Sequence, residues 1–260
     1  MTEQAASALD LGAGAEHRYA RLSMRPLHIL LFLVPFIAAY EVGSLLFLVG
    51  EGGTAETIRA HRILSEVFAW FGAGGLHLPA ALTVAVLLIW QFLSGDRWTV
   101  SWRVLPLMMA ECIAWTLPLL VLGLLLVSVL GINTQAAAAV TDDVARGLGA
   151  DLTIAIGAGV YEELLFRMVG IGLVHMIAVD LFRLRDTPGQ VVSVIVTSLA
   201  FALYHDVAGA AGGGSIDWLH LSYYFLAGVA FGVIYLLRGF GIAVGVHALY
   251  DVVVLVRPFS

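Results

Sequence analysis

Residues 152–179 read LTIAIGAGVYEELLFRMVGIGLVHMIAV, an apolar run that is interrupted near its middle by Glu162, Glu163 and Arg167. The run is long enough to cross the hydrocarbon core of a bilayer, which needs roughly 20 helical residues. A charged side chain at the centre of a membrane helix is unfavourable by about 2.5 to 3.5 kcal/mol. Three charges so close together therefore predict a membrane helix that carries a function.

Apolar segments of similar length recur along the chain. Seven are predicted to span the membrane: 27–49, 76–93, 104–130, 152–179, 191–211, 218–237 and 240–256. Unpaired backbone groups are very unfavourable in lipid, and no segment alternates between polar and apolar residues as barrel strands do. The predicted fold is an all-α, polytopic transmembrane helix bundle of about seven to eight spans.

The composition supports a membrane protein. The chain of 260 residues is 60% apolar and only 12% charged, whereas a soluble domain carries roughly 25% charged residues. All 13 basic residues are arginine and the net charge is -6, which argues against nucleic acid as a partner. The single cysteine, Cys112, excludes an intramolecular disulfide. We therefore exclude a soluble enzyme and a disulfide scaffold, and we predict an integral membrane protein.

The predicted organisation is a polar, flexible cytoplasmic tail over residues 1–26, followed by a single transmembrane domain over 27–257. The half that carries the functional motifs is 151–257. Arginines just before the first span favour a cytoplasmic N-terminus. The complete absence of lysine from an alanine- and glycine-rich chain favours a bacterial source, and hence the bacterial inner membrane.

Several connecting segments and glycines carry further predictions. Residues 51–75 form either an interfacial amphipathic helix or half of an extra span. The glycine-rich residues 209–214 form a flexible connection. Two GxxxG pairs, Gly228 with Gly232 and Gly241 with Gly245, allow the last two spans to approach each other closely.

The charges in the fourth span have a defined helical geometry. Glu163 and Arg167 are four residues apart and share one face, while Glu162 points about 100° away. The Arg167 guanidinium can thus pair with the Glu163 carboxylate, while the Glu162 carboxylate faces a different part of the protein. The alternative is a purely structural buried ion pair between Glu163 and Arg167, with no role for Glu162.

Two later spans carry similar groups. Phe201 and His205 share a helical face near the end of the fifth span, and His247 and Asp251 share a face in the last span. A lone histidine at a helix end is often only an interfacial residue, and His247 with Asp251 is also compatible with a helical hydrogen-bonded pair.

Together the three groups suit one of two chemistries. A carboxylate flanked by an imidazole can take a proton from water, while further donors stabilise an oxyanion. Glutamate, histidine and aspartate are equally competent zinc ligands. The sequence contains no HExxH, no GxSxG and no serine beside either histidine, so a zincin helix and a serine nucleophile are not indicated.

The motifs EELLFR at 162–167, FALYH at 201–205 and HALYD at 247–251 resemble EExxxR, FxxxH and HxxxN or HxxxD. These are the motifs of the CAAX protease and bacteriocin-processing family, also called the Abi family of intramembrane endopeptidases, which includes the eukaryotic Ras-converting enzyme. The resemblance covers roughly the last 110 residues.

The resemblance implies a bundle of about eight helices and assigns the roles of the site residues. Glu162 is the general base on water, and His205 helps to hold that water. His247 and Asp251 bind the oxyanion, while Glu163, Arg167 and Phe201 are supporting residues. Asp251 stands where many members have asparagine. Because an ionised carboxylate donates no hydrogen bond, Asp251 must either be protonated or orient His247 as an acceptor.

The predicted function is therefore an intramembrane endopeptidase that uses glutamate- and histidine-activated water, acts on a membrane protein or peptide in the lipid bilayer, and needs no cofactor. A first alternative is a zinc enzyme with Glu162, His205 and His247 as ligands. A second is a non-enzymatic transporter or immunity-type binding protein. The remaining intramembrane charges, Glu41 and Glu111, are expected to pair with an arginine or a backbone group rather than to line a water path.

Overall fold

The computed structural model describes residues 16–49, 57–130, 147–205 and 216–256. These residues form a short helical segment over 16–23 and eight longer helices, and they contain no β-strand. The longer helices are α1 (Pro26–Phe47), α2 (Arg59–Trp70), α3 (Leu78–Ser94), α4 (Val104–Leu130), α5 (Leu148–Leu181), α6 (Asp186–Tyr204), α7 (Trp218–Arg238) and α8 (Phe240–Val256). The all-α prediction is confirmed for this part of the chain. The glycine-rich segment 209–214 lies outside it.

The length and composition of the helices suit a membrane. Five of the described helices, α1, α4, α5, α6 and α7, are long and apolar enough to cross one, while α3 and α8 are shorter apolar helices. Large apolar side chains such as Phe92 and Leu124 are exposed on the outside of the bundle. In lipid, such surfaces need no polar covering.

The centre of the bundle is the contact between α5 and α8. The side chains of α8 from Phe240 to Val246 are buried, although this helix is short. Gly159 of α5 faces the backbone of Ala248, where an added Cβ would lie 2.7 Å from the amide nitrogen. The missing side chain thus allows α5 to approach the helix that carries His247.

We expect Gly159→Ala to destabilise the bundle by about 1 to 3 kcal/mol, because the atoms it would strike, the backbone and Cβ of Ala248, cannot rotate away. Gly172→Ala is the matched control, since an added Cβ there meets no described atom within 4 Å. Unfolding in mixed detergent micelles measures both variants. Equal stability of the two variants would contradict the close contact.

The two GxxxG pairs do not join the last two helices, so that prediction is wrong. Gly228 and Gly232 face α6, whereas Gly241 and Gly245 face α1 and α4. The spacing correctly marks helix surfaces that allow close approach, but it does not identify the partner helix. Helices α7 and α8 are consecutive, yet each packs its glycines against an earlier part of the chain.

Glu111 of α4 anchors the N-terminal segment. Arg238 of α7 forms an ion pair with Glu111, and the Tyr19 hydroxyl donates a hydrogen bond to Glu111 Oε2 at 2.5 Å. The expected arginine partner of Glu111 is confirmed. Residues 16–23, within the segment predicted as a tail, are helical, and Tyr19 ties them to the bundle because a half-buried carboxylate needs hydrogen-bond donors.

Helix α2 is amphipathic and too short to span a bilayer. Its buried residues are Ala60, His61 and Leu64, while Trp70 and the following Phe71 are more than 80% exposed. Burial lowers the pKa of His61, so this imidazole is neutral at pH 7. This arrangement favours the interfacial helix over half of an extra span.

Helix α7 has a well-defined start. Asp217 accepts hydrogen bonds from the backbone N–H groups of Leu219 and His220, which is the usual role of an N-cap aspartate. A hydrogen bond from the His220 side chain lowers the pKa of Asp217 and keeps the cap ionised. The first turns of α7, which lie beside the functional site, are thereby fixed.

Candidate active site

The acidic motif lies where α5 changes its helical form. The α-helical part ends at Glu163, and a π-helical stretch runs from Leu164 to Ile171. Such π-helical turns are rare and occur frequently at functional sites. The two carboxylates and Arg167 therefore lie at the junction of two helical geometries.

Glu163, Arg167 and His247 form a buried charged network. Oε2 of Glu163 lies 3.2 Å from Nε of Arg167, and Nδ1 of His247 donates a hydrogen bond of 2.7 Å to Oε1 of Glu163. Nη2 of Arg167 donates to the backbone carbonyl of Gly228 at 3.2 Å, and its guanidinium carbon lies 4.4 Å from the ring centre of Phe201. All three charged residues are at most 3% exposed. Glu163 thus fixes the imidazole of His247 from one side.

Glu162 does not join the ion pair of Glu163 with Arg167, as its position on the helix predicts. The Tyr204 hydroxyl donates to its Oε1 at 3.1 Å. Its Oε2 makes no hydrogen bond to any described residue, but it lies 3.8 Å from Nε2 of His205 and 3.9 Å from Nε2 of His247. These separations are too long for direct hydrogen bonds and suit a single bridging water.

His205 lies one residue beyond the end of α6, where the backbone has become extended. Its Nδ1 lies 2.8 Å from the carbonyl oxygen of Phe201. A carbonyl only accepts, so Nδ1 carries the proton and Nε2 of the neutral ring is an acceptor facing Glu162. The Phe201 ring is 4.5 Å away between centres. The spacing of Phe201 and His205 thus fixes the tautomer of the imidazole.

His247 and Asp251 meet on α8. Nε2 of His247 lies 3.5 Å from Oδ2 of Asp251, which is about a quarter exposed. The same nitrogen faces Glu162. A protonated His247 can therefore donate toward the space between Glu162 and Asp251. Glu163 contacts one nitrogen of this imidazole and Asp251 lies near the other, so two carboxyl groups face the ring.

The structure brings all the predicted site residues into one cluster from three helices. They are Glu162, Glu163 and Arg167 of α5, Phe201 and His205 at the end of α6, and His247 and Asp251 of α8. Among the described residues, no group of three or more His, Cys, Asp or Glu side chains is arranged to hold a metal ion.

Sequence reasoning missed four residues that contact the site. Tyr204 lies inside the FALYH motif and binds Glu162. Tyr224, Gly228 and Phe231 of α7 contact His205, Arg167 and His247, respectively. Their spacing of four and three residues along one apolar helix was the available signal. Nothing in the sequence distinguished it from ordinary packing.

Glu41 has partners that the sequence did not predict. Its Oε1 accepts a hydrogen bond of 3.0 Å from the Tyr161 hydroxyl, and its Oε2 contacts Nδ1 of His77. The expected arginine or backbone partner is wrong, because a tyrosine of α5 and the histidine that precedes α3 contact Glu41 instead. Tyr161 directly precedes Glu162, so this contact helps to hold the start of the acidic motif.

Comparison with known proteins identifies the segment that carries the site. Residues 146–253 match the family model described as Type II CAAX prenyl endopeptidase Rce1-like. The matched segment contains all three motifs, so the predicted family resemblance is confirmed for this part of the chain. No curated protein and no solved structure matches the chain. The apolar helices indicate an integral membrane protein, and the segment that carries the site is similar to a family of membrane endopeptidases.

Proposed function

We propose that this protein is an intramembrane endopeptidase in which Glu162 activates water. One observation carries the proposal: Glu162 Oε2, buried and without a hydrogen bond to any described residue, faces the Nε2 atoms of both His205 and His247. Such an arrangement holds a water molecule between a base and two imidazoles. The Rce1-like match over residues 146–253 supports the same reaction.

The first step is attack of water on the scissile carbonyl carbon. The Glu162 carboxylate accepts one water proton, while Nε2 of His205 accepts a hydrogen bond from the other and orients the oxygen. The new C–O bond forms as the carbonyl π electrons move onto oxygen. Base catalysis of this kind contributes about 10²- to 10⁴-fold to the rate.

The oxyanion and the leaving group complete the reaction. A protonated His247, held at Nδ1 by Glu163, donates through Nε2 to the oxyanion, which stabilises charge that develops only in the transition state. Glu162 then returns its proton to the leaving amine as the C–N bond breaks. Asp251, 3.5 Å from His247 Nε2, stabilises the charged imidazole through its own negative charge, so the role does not require the amide that many family members carry.

The substrate is a membrane-associated protein or peptide. Apolar helices surround the site, and the matched family is described as a CAAX prenyl endopeptidase. A suitable probe is a prenylated CAAX-type peptide with a fluorophore and a quencher on either side of the scissile bond. Leader peptides, lipoprotein segments and C-terminal sorting tails are further candidate substrates.

The complete topology is part of the proposal. Helices α3 and α8 add two short apolar candidates to the five longer ones, which supports seven to eight spans. The distribution of arginines supports a cytoplasmic N-terminus, and the composition supports the bacterial inner membrane.

Comparison of membrane-protein termini tests the function in cells. Proteins should lose or gain defined terminal peptides between a strain with the native protein and one with Glu162→Gln. The exchange removes the base but keeps the size of the side chain. Identical termini in the two strains, at equal protein levels, would contradict the proposal.

Tyr204→Phe is expected to lower kcat about tenfold. The change removes the hydroxyl that holds Oε1 of Glu162, and a rate change of this size corresponds to roughly 1.4 kcal/mol. Tyr19→Phe is the matched control, because it removes a tyrosine hydroxyl that donates to a glutamate outside the site. The quenched peptide measures both variants, and equal rates would exclude a role for Tyr204 in orienting the base.

The zinc alternative makes a separate prediction. Glu162 Oε2 lies 3.8 Å from Nε2 of His205 and 3.9 Å from Nε2 of His247, and these three atoms suit zinc as donors. They would have to move closer together to coordinate it, since no three such groups form a metal site among the described residues. Stoichiometric zinc in the purified protein, lost together with activity on chelation, would favour this version.

A further inference from the structure

Helix α7 contributes no residue to the three motifs, yet one of its faces contacts the site three times. Tyr224, Gly228 and Phe231 are four and three residues apart, so they lie on a single helical face. Tyr224 contacts His205, the Gly228 carbonyl accepts from Arg167, and Phe231 contacts His247. The face thus touches one residue from each of the three motifs.

The two aromatic contacts share the same geometry. The rings of His205 and Tyr224 are stacked with centres 4.0 Å apart and planes 18° apart. Those of His247 and Phe231 are stacked with centres 4.4 Å apart and planes 18° apart. In both cases a flat aromatic face lies against a flat imidazole face, which restricts rotation of the imidazole about its side-chain bonds.

Hydrogen bonds alone leave each imidazole partly free. Nδ1 of His205 donates a hydrogen bond to the Phe201 carbonyl, and Nδ1 of His247 donates one to the Glu163 carboxylate. Each ring can still rotate about its single hydrogen bond. Stacking against the rings of α7 prevents this rotation and keeps both Nε2 atoms facing Glu162.

Gly228 allows α7 to come this close. An added Cβ would lie 3.0 Å from Cα of Ser198 and 3.3 Å from the ring of Phe201. The same absence of a side chain leaves the carbonyl open to Arg167. Helix α7 therefore approaches α6 closely at Gly228, which lies between Tyr224 and Phe231, the two residues that stack on the imidazoles.

We propose that Tyr224 and Phe231 are positioning residues that hold the imidazoles of His205 and His247 in register with Glu162. They act through the histidines rather than on the substrate. The assignment rests on the proposed function, because the orientation of the imidazoles affects the rate only if both imidazoles and Glu162 contact the same water molecule.

Histidine NMR tests the stacking independently of activity. In protein labelled at its histidines with ¹³C and reconstituted in nanodiscs, the ring protons of His205 and His247 should resonate upfield because of the aromatic ring currents. Phe231→Leu should move the His247 resonances downfield and leave those of His205 in place, and Tyr224→Leu should do the reverse. Phe225→Leu, a change of the same kind on the same helix, should move neither. Unmoved resonances in both test variants would overturn the proposal.

Kinetics on the quenched prenylated peptide test the functional consequence. Phe231→Leu and Tyr224→Leu should each lower kcat about three- to tenfold with KM unchanged. Phe231→Tyr and Tyr224→Phe keep an aromatic ring in place and should retain the native kcat. A shift of the resonances without loss of kcat overturns the positioning role and leaves the proposed function standing. Cleavage at the native rate by Glu162→Gln overturns the proposed function itself, while the NMR result still reports on the stacking.

Discussion

Glu162→Gln is expected to reduce kcat for the quenched peptide by about 10²- to 10⁴-fold, the contribution usual for a general base. The amide has the size of the carboxylate and can still accept the Tyr204 hydroxyl, but it cannot take a proton from water. Glu162 is only 6% exposed, so bulk solvent does not readily supply a substitute base. KM should change little, because Glu162 acts on water rather than on the peptide.

The control for this variant is Glu66→Gln, which makes the same chemical change at an exposed position of α2. It should retain the native rate. The amount of inserted protein and its unfolding transition should be the same for both variants and the native protein. Native-like turnover by a well-folded Glu162→Gln variant would contradict the role of this residue as the base.

Arg167→Met is expected to lower the free energy of unfolding by about 3 to 5 kcal/mol, the usual effect of removing one partner of a buried ion pair. Methionine fills much of the same space, so lost packing contributes little. Glu163 is fully buried and would keep only the hydrogen bond from His247. The variant would also lose the contact with the Gly228 carbonyl, which joins α5 to α7.

Arg185→Met is the control for this prediction, since Arg185 is an exposed residue at the start of α6. Unfolding of the reconstituted protein in increasing SDS measures both variants. A loss of less than about 1 kcal/mol for Arg167→Met, within the range of an exposed ion pair, would show that the network does not stabilise the bundle.

The sequence predicted the parts of the site that depend on position along a single helix. Glu163 and Arg167 are paired, Glu162 faces another direction, and His247 lies beside Asp251, because residues four apart share a helical face. The helix bundle itself follows from the long apolar segments. Such local patterns determine helices and their faces without any knowledge of the tertiary structure.

Contacts between helices could not be derived in the same way. The partners of Glu41 come from α5 and from the residue before α3, and the glycines of α7 face α6 rather than α8. Phe231 and Tyr224 read as ordinary apolar packing until the imidazoles above them are located. In a chain that is apolar throughout, periodicity identifies few partners, because many helix faces are compatible with burial or with lipid.

An experimental structure of the protein in a lipid nanodisc tests the central claim most directly, at a resolution that shows ordered solvent. The account predicts Oε2 of Glu162 and the Nε2 atoms of His205 and His247 around one water molecule, with the stacked rings of α7 behind both imidazoles. Imidazoles turned toward the acyl chains would contradict it. So would Nε2 atoms more than roughly 6 Å from Glu162, which is twice the length of a hydrogen bond.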